Sequence, residues 1–218
     1  DEEAVYVNLF IPSELKWEEK GLSLTQETSF PNTEESTLSI NVDKPITFTL
    51  KVRRPLWVKE GFGAVVNGDT VSLDEQSGTY LTIDRKWESG DKVEVLLPMD
   101  LRLEPLEDRQ DLAAVKYGPV LLAGKLGREG MDEKPIPYGG FEGGFEGRWD
   151  HRRYEEMPTV NAPVLQVGNS DVNAWLKPAD GTPLLFKTDG VGEPRDVEMA
   201  PFYQVNHERY AIYWQLNK

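Results

Sequence analysis

Apolar residues recur at every second position along most of this chain. Val5, Val7, Leu9 and Ile11 alternate with Tyr6, Asn8 and Phe10, Leu38, Ile40 and Val42 with Ser39 and Asn41, and Ile46, Phe48, Leu50 and Val52 with Thr47, Thr49 and Lys51. A period of two sends successive side chains to opposite faces of a pleated strand, so each stretch reads as a half-buried strand. Turn formers at Pro31-Asn32 and Asp43-Lys44-Pro45 separate these strands at the spacing of an antiparallel sheet. Residues 64–71 read as a hairpin, because Asn67-Gly68 readily takes the two positive-φ positions of a type I′ turn. A second hairpin is expected from Thr79, Leu81 and Ile83, through a turn over residues 87–92, into residues 93–97 and Pro98. Met99, Leu101 and Leu103 carry the alternation on to Pro105.

Elsewhere the pattern changes. Residues 113–123 lack a polar face and read as a strand buried on both sides, with Gly118-Pro119 marking a bulge or an edge. Residues 13–20, SELKWEEK, offer two helical turns capped by Ser13. Residues 127–160 are rich in glycine, proline and charge, repeat Gly-Gly-Phe-Glu in tandem, and read as a long loop. Strand-like sequence resumes at residues 164–167, 171–176 and 183–188, and the chain closes on Tyr210, Ile212, Trp214 and Leu216, expected on one strand face. Short strands, frequent turns and no βαβ rhythm give an all-β fold, an antiparallel and jelly-roll-like β-sandwich, as one or two tandem sandwiches. The expected organisation is a sandwich over residues 1–126, the loop over 127–160, and strands over 161–218 that form a second small sandwich or complete the first.

Composition narrows the function classes. With 24 Lys plus Arg against 38 Asp plus Glu the formal charge of the 218 residues is −14, which opposes binding to nucleic acid or anionic lipid. Six Trp, eight Tyr and eight Phe mark a folded chain rather than an acidic tail. Cysteine is absent, so disulfides, thiolate nucleophiles and Cys-bound metals are excluded from these residues. No apolar run reaches the ~18 residues of a membrane helix. The chain starts directly in strand-like sequence with no initiator Met, so we expect it to be part of something longer.

Candidate chemistry is sparse. The two histidines, His151 and His207, stand in no HxH, HExxH or calcium-loop spacing, so no metal site is expected. His207 reads as a structural residue in the turn before the last strand. Paired acids at Glu18-Glu19, Glu34-Glu35 and Glu155-Glu156 point to opposite faces if extended and read as solvated surface, where a glycosidase needs convergent carboxylates. No GxSxG elbow or phosphate-cradling loop occurs. Trp87, Trp175 and Trp214 read as burial anchors. Tyr138, Phe141, Phe145, Trp149 and Tyr154, in the long loop, are the carbohydrate or interface candidates.

The stretches VYVNLFIPSEL, GLSLTQETSFP, WESGDKVEVLLPMDLRLEPL and AVKYGPVLLAGKLG resemble the C-terminal, post-catalytic part of glycoside hydrolase family 127, the β-L-arabinofuranosidase-like proteins. The terminal PFYQVNHERYAIYW resembles the end of the gut Bacteroides-type members. The matches cover residues 1 to about 126 and about 180 to 218. The resemblance implies an N-terminal (α/α)6 barrel, with a zinc-bound cysteine as proposed nucleophile, followed by β-sandwich domains. This chain would begin at the last segment of that barrel. Lacking cysteine, it takes over none of the family's catalytic residues and is expected to be a non-catalytic module with no cofactor of its own. The implied partners are the catalytic barrel of the same parent chain, a second copy, or a plant-type oligosaccharide, in a bacterial periplasmic or extracellular setting. The rival reading is an autonomous carbohydrate-binding module.

Overall fold

The computed structural model describes residues 3–71, 79–131, 159–179 and 181–217. These form two compact units, Asp1–Asp100 and Leu101–Lys218. The described residues are almost entirely strand, turn and loop, as the alternation requires.

The first unit holds nine strands: β1 Ala4–Val7, β2 Ser13–Trp17, β3 Leu22–Thr28, β4 Glu35–Val42, β5 Ile46–Arg53, β6 Gly63–Val66, β7 Asp69–Val71, β8 Tyr80–Trp87 and β9 Asp91–Leu96. Six pair in the order β2-β3-β4-β9-β6-β7, antiparallel throughout, and three in the order β1-β5-β8. One face of each sheet supplies the core. Leu38 and Ile40 of β4 and Val93 and Val95 of β9 meet Phe48, Leu50 and Val52 of β5 and Leu81 and Trp87 of β8 in one buried cluster. This is a two-layer sandwich, and each large side chain buried in it contributes ~1.5–3 kcal/mol. Trp87 is stacked on Phe48, its ring centroid 5.4 Å away, and its indole N–H donates to the Phe48 carbonyl at 2.9 Å, so the largest buried ring keeps no unmet donor.

Several expectations are corrected in this unit. The Asn67-Gly68 hairpin forms, with φ of 53° and 92° at its two turn residues and Val66 opposite Asp69. The second expected hairpin does not. β8 pairs with β5 and β9 with β4 and β6, so residues 88–90 carry the chain from one sheet to the other. Residues 13–17 form strand β2 rather than a helix, followed by a single 3-10 turn over Glu18–Lys20. A helix of two turns has little stability of its own, whereas pairing with β3 satisfies this backbone along five residues. β1 ends at Val7 and pairs parallel to β5, and beyond it the facing reverses: Phe10 is buried while Leu9 and Ile11 face solvent.

The second unit contains β10 Leu101–Pro105, β11 Leu112–Tyr117, β12 Val120–Gly127, β13 Val164–Gln166, a single helical turn α1 Val172–Trp175, β14 Leu176–Pro178, β15 Phe186–Thr188, β16 Gly192–Glu193, β17 Glu198–Pro201, β18 Arg209–Ala211 and β19 Tyr213–Asn217. Gly118, at φ 51°, and Pro119 make the tight turn of a β11–β12 hairpin rather than a bulge. That hairpin is paired over only three residues, Val115–Tyr117 against Val120–Leu122. Its strands then part and the C-terminal segment enters the gap, β18 pairing with β12 and β19 with β11. The splay divides a continuous ladder into two leaves, β14-β15-β17-β12-β18 and β10-β11-β19-β13-β16. Between them lies a second core that includes Leu122, Leu165, Trp175, Met199 and Trp214.

The unit boundary thus falls at Asp100/Leu101, not at 126. Strands 101–127 pair with the C-terminal strands, so the described part of 161–217 completes a sandwich begun at Leu101. The expected terminal strand is broken by a bend at Ile212, where the chain changes leaf, and only Trp214 and Leu216 of its four residues are buried. Residues 172–175 are helical, because the Asp171 carboxylate accepts from the Asn173 amide at 2.9 Å and caps a turn there.

Candidate functional site

The described residues of the first unit form a pair of neighbouring concave surfaces that share Glu14. One, of about 330 Å3, is floored by Leu24 and Gln26 of β3 and walled by Tyr6, Leu9, Ile11 and Leu15. Gln26 is buried, and its amide donates to the Ser36 hydroxyl at 2.8 Å, so the polar floor is tied into the sheet. The other, of about 480 Å3, is polar, with Glu14, Lys16, Glu18, Asn41, Asp43 and Ser89 along it. Lys16 pairs with Glu14 at 3.2 Å, and both side chains are at least half exposed, so the pair contributes little.

Glycoside cleavage needs one carboxyl held protonated by its surroundings beside one kept ionised. The carboxyls that this structure displaces all move down. Burial pushes Asp91 up, but the Glu88 amide, the Asn67 side chain and Arg85 together hold it below the ordinary range. Glu104 is lowered mainly by its hydrogen bond from Lys116, and Asp111 strongly by hydrogen bonds from Arg109 and Gln215. In Asp196, burial is outweighed by the amides of Gly190 and Gly192 and the Thr188 hydroxyl, at 2.8, 3.0 and 2.8 Å. Each of these four acts as an acceptor that fixes a turn or a strand neighbour.

Among the described residues no group of three or more His, Asp or Glu side chains is arranged to hold a metal ion. No helix among them is long and apolar enough to cross a membrane. His207 lies in the bend before β18 with φ 50°. Tyr138, Phe141, Phe145, Trp149 and Tyr154, with His151, lie outside the described residues. Trp87, Trp175 and Trp214 are buried, and Trp17 and Trp57 pack against the first core. Among the described residues, exposed Tyr6 meets Tyr80 edge-on at 90°, exposed Phe202 and Tyr210 meet at 55°, and the half-buried Phe30 and Trp57 stack at 15°. The apolar groove escaped sequence reasoning, because strict alternation puts Leu9 and Ile11 inside with Val5 and Val7.

Two β-sandwiches in tandem along the chain, whose shifted carboxyls serve as hydrogen-bond acceptors, are the class of fold that the described residues define. Residues 4–99 match the family model "Beta-L-arabinofuranosidase, GH127 middle domain", and residues 102–216 match a domain of unknown function, the two meeting at the structural boundary. The first unit thus belongs with the middle domain of the family 127 β-L-arabinofuranosidases, and the second, over half of the chain, with that domain family of unknown function. Its fold is similar to that of a family 127 β-L-arabinofuranosidase from Geobacillus stearothermophilus, at 16% identity and TM-score 0.64, covering 99% of this chain and 34% of that one. A second family 127 β-arabinofuranosidase matches at 23% identity and TM-score 0.63, over 99% of this chain and 35% of that one. A structure described as a glycoside hydrolase matches at 19% and 0.62, over 98% and 36%. The chain thus spans about a third of the length of the solved structures it matches. No curated protein matches it.

Proposed function

We propose that this chain is the non-catalytic β-sandwich region of a β-L-arabinofuranosidase-like glycoside hydrolase, and that it supports the catalytic barrel of the same parent chain. The match of residues 4–99 to the middle domain of such enzymes carries this reading. The absence of cysteine from the sequence supports it, as does the downward displacement of Asp91, Glu104, Asp111 and Asp196, opposite to what a general acid needs. The module's work is mechanical: two pre-formed cores give the barrel a rigid flank, which steadies it and the rim of its cleft. No cofactor is assigned to these residues, and the parent's setting is bacterial periplasm or exterior. The segment carrying Tyr138, Phe141, Phe145, Trp149 and Tyr154 belongs to the contact with the barrel or with substrate.

An autonomous carbohydrate-binding module would call for a flat platform of exposed rings; among the described residues the Tyr6–Tyr80 and Phe202–Tyr210 pairs are tilted, and the stacked pair of Phe30 and Trp57 is half-buried against the first core. The test is to offer an aryl β-L-arabinofuranoside to the purified chain and to its full-length parent. Turnover by the parent alone is the expected result. Turnover by the pure chain, abolished by changing one of its own carboxylates to the amide, would overturn the reading.

A further inference from the structure

Of the six large apolar side chains that stand exposed among the described residues of the first unit, Leu56 and Leu96 lie apart and four gather in one place. Leu9 is 62% exposed, Ile11 55%, Tyr6 40% and Leu15 39%, and all four line the 330 Å3 groove. A lone exposed leucine is ordinary, but four large apolar groups around one concavity mark a surface that is covered in its working state. The groove wall is already ordered. The Tyr80 hydroxyl donates to Asn8 Oδ1 at 2.6 Å, Tyr80 meets the Tyr6 ring edge-on at 5.6 Å, and Lys51 donates to the Tyr6 hydroxyl at 3.2 Å. An occupant therefore meets a preorganised surface, which lowers the entropic cost of docking.

We propose that this groove seats a segment of the parent polypeptide lying outside residues 1–218, one that presents apolar side chains to Leu9, Ile11 and Leu15. The inference rests on the function proposed above. Size argues for a tethered occupant: a stable complex of separate proteins buries ~800 Å2 on each side, more than a groove of four side chains supplies, whereas a covalently linked segment acts at millimolar effective concentration. Charge argues against a second copy, which would bring −14 against −14 across a contact that offers apolar side chains rather than paired charges. The relative lengths supply the occupant, since the matched structures are about three times as long as this chain.

Hydrogen exchange on the parent and on the separate chain tests this directly. Amides within residues 6–15 are expected to exchange at least about tenfold more slowly in the parent. The double change Leu9→Asp with Ile11→Asp should restore fast exchange there, while leaving the unfolding midpoint of the separate chain unchanged because both side chains are exposed. Equal exchange in both proteins would overturn the proposal, as would a dimer of the separate chain that Leu9→Asp dissociates. The two readings fail separately. Equal exchange in a parent that still hydrolyses the arabinofuranoside removes the groove and keeps the function. Protection in a parent that turns over no glycoside keeps the groove and removes the catalytic reading.

Discussion

Gly124 of β12 lies directly against the indole of Trp214 on β19. A Cβ at Gly124 would overlap Cζ2 and Cη2 of that ring and come within 3.1 Å of Val197 Cγ1. The two residues sit on opposite leaves of the second unit, so the missing side chain is what lets the leaves close over the ring.

Gly124→Ala is therefore expected to destabilise the second unit by ~1–3 kcal/mol through overpacking. Shortening the facing group with Trp214→Leu should shrink that cost, because the overlapping ring atoms are gone. Urea unfolding of the four proteins in a double-mutant cycle checks it. Equal costs of Gly124→Ala in both backgrounds would show that the ring is not what constrains this position.

The Trp87 indole donates to the Phe48 carbonyl at 2.9 Å inside the first core. Trp87→Phe keeps an aromatic ring but leaves a buried carbonyl without that donor, at a cost of ~1–3 kcal/mol before any cavity term. A lowered midpoint with an unchanged denaturant slope is the expected outcome.

The Asp196 carboxylate accepts from Thr188, Gly190 and Gly192, and its pKa lies below the ordinary value. A depressed pKa in the folded state stabilises above the unfolded value of ~4 and is lost as pH falls through the folded value. Acid unfolding should therefore begin below about pH 4 with a contribution from this residue. Asp196→Asn should flatten the acid limb and lower stability at neutral pH. An acid limb identical to that of the parent sequence would remove Asp196 from the account.

At the β6–β7 turn Gly68 has φ 92°, and an added Cβ meets nothing within 4 Å. Gly68→Ala should cost roughly 1 kcal/mol by backbone strain alone, since no steric clash accompanies it. Asn67→Gly relieves the positive φ of 53° but removes the hydrogen bond that Asn67 donates to Asp91 at 2.7 Å and the one it accepts from the Lys92 amide at 2.8 Å, so it should cost at least as much, roughly 1–2 kcal/mol, and thermal unfolding of the two variants checks both.

The alternation over residues 38–42 and 46–52 and the Asn67-Gly68 turn were legible because each is local. A period of two decides which side chains of a strand face inward, and two adjacent positive-φ residues decide a turn, with little help from the rest of the chain. The apolar groove was not legible. Leu9 and Ile11 carry the same signal as Val5 and Val7, and only the end of pairing with β5 at Val7 turns Phe10 inward and leaves them outside. The sequence-level site candidates in residues 138–154 lie outside the described residues.

By itself, then, the chain's pattern determined an all-β protein and the inward faces of its main strands, and its composition placed no thiol among residues 1–218. Only the tertiary structure decided which strands are neighbours. Trp87 and Asp91 are separated by three residues yet lie in different sheets, β1 joins β5 in parallel, and residues 209–217 wedge apart the β11–β12 hairpin. The reason is physical: alternation fixes a strand's faces, whereas its edges are identical rows of amide and carbonyl groups. Which edges meet depends on long-range closure of the cores around Trp87 and Trp214.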